Sequence, residues 1–220
     1  MPKLEWDKQG EHYFETGVEN GVLYPYNEGK YSAGVAWNGL TAVNENATGA
    51  EPTALYADNI KYLNLISNEE LEGTIEAYTY PDEFNACQGV VELAPGIVAG
   101  QQNHEMFGLA YKTKLGNDVK GDEYGYKLHL IYGCQARPTE KAYETINDSP
   151  EAITFSWEFS TTPVAVTGNK PTSVLTIDST KTDDTILAAI EAILFGTEES
   201  DPRLPLPAEV LSLIASAETN

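Results

Sequence analysis

The chain has little positive charge. Its 220 residues hold 13 Lys and Arg against 34 Asp and Glu, for a net charge of −21 and a pI near 4.3. Gripping a nucleic-acid backbone needs clustered Lys and Arg, so a basic binding groove is excluded. Anionic membrane surfaces are disfavoured for the same reason. Histidine is scarce too. His12, His104 and His129 lie far apart with no Cys or His at a metal-ligand spacing, so no zinc site is expected. Cysteine is limited to Cys87 and Cys134, in unrelated contexts. Two free thiols are the expected state, with a disulfide the less favoured alternative. No run approaches the roughly 18 apolar residues of a membrane span. The polar opening MPKLEWDKQG has no apolar segment of the signal-peptide kind, so none is expected.

Catalytic motifs are missing as well. Neither a phosphate-binding glycine loop nor a dinucleotide fingerprint is present, and there is no Gly-x-Ser-x-Gly elbow. A glycosidase needs only two facing carboxylates. With 34 acidic residues such a pair can be drawn anywhere, so it carries no information. Asn117, Asp118, Asp122 and Glu123 offer oxygen ligands of the kind calcium takes, but not at the EF-hand spacing; solvated turn residues are the expected role. The expectation is a non-enzyme with no cofactor and no metal.

What is present is a β pattern. The chain is 41% hydrophobic, enough for a core, and long enough for one large domain or two small ones. Short alternating runs recur at 22–26, 33–40, 60–65, 71–80, 107–113, 124–132, 152–161 and 172–177. Turn signals such as Asn20-Gly21, Glu28-Gly29 and Gly168-Asn169 separate them, and two X-Pro turns, Arg137-Pro138 and Ser149-Pro150, punctuate the second half. In the run 154–161, Phe155, Trp157 and Phe159 share one face while Ser156, Glu158 and Ser160 share the other, a strand with one buried side. The run 71–80 places Glu72, Thr74, Glu76, Tyr78 and Tyr80 on a wet acidic face and Leu71, Gly73, Ile75 and Ala77 on a packed one. His129 shares a strand face with Lys127 and Ile131. The predicted fold is mainly β, a sandwich or barrel, over 1–200, with a flexible polar loop at 44–52.

One helix is legible at 183–195, where Ile186, Leu187, Ile190, Ile193 and Leu194 make an apolar stripe. Thr182 or Asp183 suits the cap and Gly196 the stop. A Pro-rich arm, DPRLPLP, follows over 201–207 and leads into a short apolar helix from 208 to 217. Leu204, Leu206, Val210, Leu211 and Ile214 would serve either to dock that arm on a neighbour or to fold it back on its own domain.

Several blocks together resemble the major tail protein, the tail tube subunit, of long-tailed non-contractile bacteriophages. They are LYADNIKYLNL from Leu55, EGTIEAYTYPDEFNACQG from Glu72, GYKLHLIYGCQARPTEKAYETINDSPEAITFSWEFSTTP from Gly125, PTSVLTIDSTK from Pro171, and RLPLPAEVLSL from Arg203. Their number and order carry the likeness, which covers most of the chain from Leu55 onward. The resemblance implies a structural virion protein, made in the host cytoplasm, whose β-sandwich-like subunits close into hexameric rings that stack into a tube. The implied partners are other copies of itself, a tape measure protein, a tail terminator and distal tail or baseplate proteins. DNA would pass through the lumen without specific binding. An acidic wall suits that traffic, because a basic wall would hold DNA by counterion release. On this reading Glu72, Thr74, Glu76 and Tyr78 face the lumen, and the Lys and Arg gather at subunit contacts to offset repulsion. A second reading is a carbohydrate-binding or carbohydrate-cleaving β-sandwich, favoured by the 13 tyrosines and the many carboxylates. A third is a related tube protein of an injection machine.

Overall fold

A computed structural model describes residues 3–49, 51–143, 145–146, 148 and 152–217. The Ser149-Pro150 turn lies outside them. The strands are β1 (Tyr13–Asn27), β2 (Lys30–Tyr31), β3 (Val35–Trp37), β4 (Leu40–Gly49), β5 (Pro52–Ala57), β6 (Ile60–Ile66), β7 (Glu69–Ala77), β8 (Val91–Ala94), β9 (Ile97–Ala99), β10 (Met106–Asn117), β11 (Gly121–Ala136), β12 (Phe155–Thr161) and β13 (Val174–Asp178). The helices are α1 (Phe84–Cys87), α2 (Asp184–Phe195) and α3 (Pro207–Ala217). The fold is mainly β and sandwich-like, as the alternation predicts.

Nine strands form one antiparallel sheet that folds over on itself. Its main path runs β2-β1-β10-β11-β12-β7-β4, with β13 also on β11 and β3 also on β1. The β1–β10–β11 layer is buried on both faces. Towards β12 and β7 it sends Leu23, Phe107, Leu109, Ile131 and Cys134, which pack with Ile75, Trp157 and Phe159. Towards the helices it sends Val22, Tyr24, Ala110, Leu128, Leu130 and Tyr132, which meet Ile186, Leu187, Ile190 and Leu194 of α2. That double burial explains why residues 107–111 are buried without a break, where a one-faced strand would alternate.

The fold-over is made by β11. Up to Ile131 its outer edge pairs with β13; from Cys134 onward it pairs with β12. Gly133 sits at the switch with φ +59°, and a Cβ there would meet the Thr162 carbonyl at 2.3 Å. Its amide donates to the Tyr31 hydroxyl at 2.8 Å and its carbonyl accepts from the Thr162 amide at 2.9 Å. Only glycine fits both the dihedral and the space. Gly133→Ala is expected to cost about 2 kcal/mol or more, the order of a strained positive-φ residue with an added clash. Urea unfolding of the two proteins measures it.

The α2 cap matches expectation: the Asp183 carboxylate accepts from the Thr185 amide at 2.9 Å, and Gly196 ends the helix at φ +77°. Two expectations need correction. The residues 44–49 are not a loop but the second half of β4, because Asn44 to Gly49 pair in register with Glu69 to Thr74 of β7. The strand read as 71–80 ends at Ala77. Tyr80 leaves the wet face and packs edge-on against Phe84, Phe155 and Trp157. Both cysteines are free and buried. Burial pushes the Cys87 thiol up to about 12.

Candidate assembly surfaces and a polar seam

The strands β4, β7 and β12 present one shared outer face. Directly opposed residues of an antiparallel pair lie on the same side. Glu72 is opposite Ser160 and Asn46, Thr74 opposite Glu158 and Asn44, and Glu76 opposite Ser156 and Ala42. The predicted lumen residues Glu72, Thr74 and Glu76 therefore stand together on a polar, acidic surface. Tyr78, past the end of β7, is exposed but does not continue the strand row. Arg137 is the cation of this face, bonded to the Glu72 carboxylate. The outer edge of β4 bounds the face, since among the described residues β4 pairs with β7 alone.

Two hairpins stand outside the main sheet. In β5–β6, Leu55 pairs with Leu63 and Thr53 with Leu65. Every residue of β6 is exposed, including Ile60, Tyr62, Leu63, Leu65 and Ile66. In β8–β9, Val91, Leu93, Ile97 and Val98 are exposed around the turn at Gly96. A lone two-stranded ribbon is at best marginally stable in water. These ribbons carry apolar side chains with no cover from their own domain, a pattern that marks contact surfaces. Periodicity located β6, but the partner strand β5 and the β8–β9 ribbon were missed. Their signals, alternating Thr53-Ala54-Leu55 and the Pro95-Gly96 turn, are short and lack aromatic weight.

The C-terminal arm lies on its own domain. Leu204 and Val210 are buried in the helix-side core, and Ile214 packs against its rim. The Tyr132 hydroxyl donates to the Pro205 carbonyl at 2.9 Å, the Arg203 amide to the Ile193 carbonyl at 2.9 Å, and the Gly34 amide to the Pro202 carbonyl at 2.8 Å. Arg203 also forks onto Glu209, Nη1 to Oε2 at 2.7 Å. Of the residues proposed for docking, Leu206 and Leu211 alone are exposed. The rest of the arm is folded back on its own domain, through buried Leu204 and Val210 and through the partnered backbone groups of Pro202, Arg203 and Pro205.

Cations are spread over the domain rather than gathered. Lys8, Lys112, Lys114, Lys127, Arg137, Lys181 and Arg203 each pair with a carboxylate of the same chain. Lys112 is the most enclosed, 2.6 Å from Glu191 of α2, whose carboxylate also accepts from the Tyr126 hydroxyl at 2.8 Å. This pair pins the helix to the sheet. Asp118 is likewise occupied: its carboxylate accepts from the Gly10 amide at 3.0 Å and stands 3.2 Å from His12 Nδ1. Those bonds hold its carboxyl below the usual range, the Gly10 amide foremost. It ties down the N-terminal segment. Among the described residues no group of three or more His, Cys, Asp and Glu is placed to hold a metal ion, and no helix is long and apolar enough to cross a membrane.

One polar cluster was not foreseen. Where β1 and β4 approach each other without pairing, a cavity of about 400 Å³ opens, lined by Glu15, Val18, Val43, Glu45, Tyr111 and His129 among others. His129 lies opposite Tyr111 in the β10–β11 register, and the two rings stack with centroids 4.7 Å apart. The Tyr111 hydroxyl donates to Glu45 Oε1 at 2.5 Å, crossing from β10 to β4. On the other side Thr113 Oγ1 donates to Glu15 Oε1 at 2.6 Å and lies 2.9 Å from His129 Nε2. Lys127 Nζ meets Glu15 Oε2 at 2.5 Å. Burial alone would raise the Glu15 carboxyl, but the bonds from Lys127 and Thr113 outweigh it and hold it below the usual range. The available sequence signal was the sharing of a strand face by His129 and Ile131.

No protein-family model matches the chain, and no curated protein matches it.

Proposed function

We propose that the chain is a structural subunit that assembles with copies of itself into stacked rings, the tail tube of a long-tailed bacteriophage. The observation that carries the reading is the pair of apolar hairpins standing clear of the sandwich. A monomer gains nothing by exposing Ile60, Tyr62, Leu65 and Ile66 together, whereas a stacked copy would cover them. Two further features support it. The unpaired edge of β4 offers main-chain groups to a neighbouring strand, and ring closure is one way to remove such an edge. The Glu72–Glu76 face beside that edge would line the lumen, acidic and without clustered cations, so DNA would slide past it. The phage assignment rests on the sequence resemblance, and with it the tape measure, terminator and baseplate partners.

Negative-stain electron microscopy across a salt series tests the assembly. Rings or hollow tubes are expected, increasing with salt as the net charge of −21 is screened. A monomer at every salt and protein concentration, together with retention on a polysaccharide gel, would replace this reading with the carbohydrate-binding one.

A further inference from the structure

The donor and acceptor count around His129 leaves one atom unmatched. Thr113 has a single hydroxyl proton, and at 2.6 Å from the Glu15 carboxylate that proton is committed to Glu15. His129 Nε2, 2.9 Å from the same hydroxyl oxygen, must then be the donor. In the neutral ring the proton is therefore on Nε2, and Nδ1 is a bare lone pair. Nδ1 is buried without a partner. The nearest charged group is Glu45 Oε1 at 3.7 Å, too far for a hydrogen bond and already accepting from Tyr111.

Every charged neighbour is engaged elsewhere. From β1, Glu15 is taken by Lys127 and Thr113; from β4, Glu45 is taken by Tyr111; Lys127 on β11 adds a like charge to any imidazolium. Tyr111 of β10 covers one ring face, and β13 sets uncharged Thr176 opposite the backbone of His129. We propose that His129 is an acid-sensitive latch on the seam between β1 and β4. Protonation at Nδ1 creates a donor with no acceptor in reach, inside a site that accommodates the neutral ring. The imidazolium is satisfied by drawing water from the adjoining cavity or pulling Glu45 away from Tyr111. Either response weakens the Tyr111–Glu45 bond, by hydrating it or by drawing its acceptor away, and with it the cross-layer contact that holds β4, an edge strand, against the β1–β10–β11 layer.

The sign of the pH dependence follows from the direction of the His129 shift. Burial lowers its basicity, and Glu45 and Glu15 oppose that without overcoming it. A group with a depressed folded-state pKa stabilises the closed form fully above its ordinary value of about 6.5 and ceases to do so as pH falls through the folded value. The latch is therefore shut at neutral pH and released in mild acid. It does not depend on the tube reading.

Hydrogen exchange on the full chain, corrected for intrinsic rates and compared between pH 7.5 and 5, tests the latch. Segment 41–49 is expected to exchange several-fold faster in acid relative to β10. His129→Gln is expected to abolish the acid acceleration. Imidazole NMR of the unmutated protein supplies a second readout: Nε2-protonated at neutral pH, titrating below the ordinary histidine value. Acid acceleration that persists in His129→Gln, no acceleration in the unmutated chain, or titration above that value would each overturn the proposal.

Discussion

Trp157→Ala is expected to lose about 3–5 kcal/mol of unfolding free energy, the range for removing a large aromatic from a core. Trp157 is 2% exposed and is the hub of the aromatic cluster between the layers. Its ring lies 5.2 Å from Phe84, 5.3 Å from Tyr80, 5.7 Å from Trp37 and 5.7 Å from Phe155. Those partners come from α1, β3, β12 and the segment between β7 and α1, so one truncation loosens several elements. The indole Nε1 also donates to Gln88 Oε1 at 3.2 Å, and that acceptor keeps only its bond from Lys141. Domains of this kind are stable by about 5–15 kcal/mol in all, so the loss is a large share. Urea unfolding with an unchanged slope is the measure; Trp157→Phe, which keeps a ring in place, should recover part of the loss. A change below about 1 kcal/mol would mean that the site collapses around the gap and that the cluster is not the keystone of the fold-over.

This cluster was the most legible part of the sequence. Phe155, Trp157 and Phe159 alternate strictly because β12 buries one face alone, so a period of two is the whole rule there. The same logic found β7 and the acidic row of Glu72, Thr74 and Glu76. It failed where a different constraint acted. The second half of β4, Asn-Glu-Asn-Ala-Thr-Gly, is polar on both faces of an edge strand, and its order comes from the ladder with β7, a non-local partner. No local pattern records that. Tyr80 broke its row because the strand ended and the ring turned to Phe84 and Trp157, a tertiary choice. The β1–β4 seam was hidden for a related reason. Glu15, Glu45, Tyr111 and His129 come from four strands, and only the fold-over at Gly133 brings their layers together. Leu204 and Val210 were apolar for the reason an arm on a neighbour would be apolar; the fold-back is decided by hydrogen bonds to Pro202, Ile193 and Pro205 that leave no trace in a hydrophobic pattern.

The second large effect separates folding from assembly. Leu55→Ser combined with Leu65→Ser is expected to leave thermal unfolding almost unchanged and to abolish tubes. Both residues are exposed, 41% and 56%, and belong to a ribbon with no partner in the main sheet, so the monomer loses little. In a stack the same two side chains would be desolvated at every subunit contact. Burying a fully exposed leucine is worth about 1.5–3 kcal/mol, and the two side chains together still expose about one leucine's worth of surface, so the pair removes about 1.5–3 kcal/mol from each contact. At 1.4 kcal/mol per tenfold, each contact weakens by about 10–10², and the loss compounds over the contacts that every added subunit makes. Serine adds no charge, so the result cannot be attributed to added repulsion on a chain already at −21. The comparison is made at the salt concentration that gives the unmutated protein its longest assemblies, by electron microscopy and sedimentation. Tubes of undiminished length from the double variant would remove the β5–β6 ribbon from the interface and shift attention to β8–β9 and the β4 edge. A variant that unfolds early would show instead that the ribbon covers its own domain, against the exposure of Tyr56, Ile60 and Tyr62 along its length.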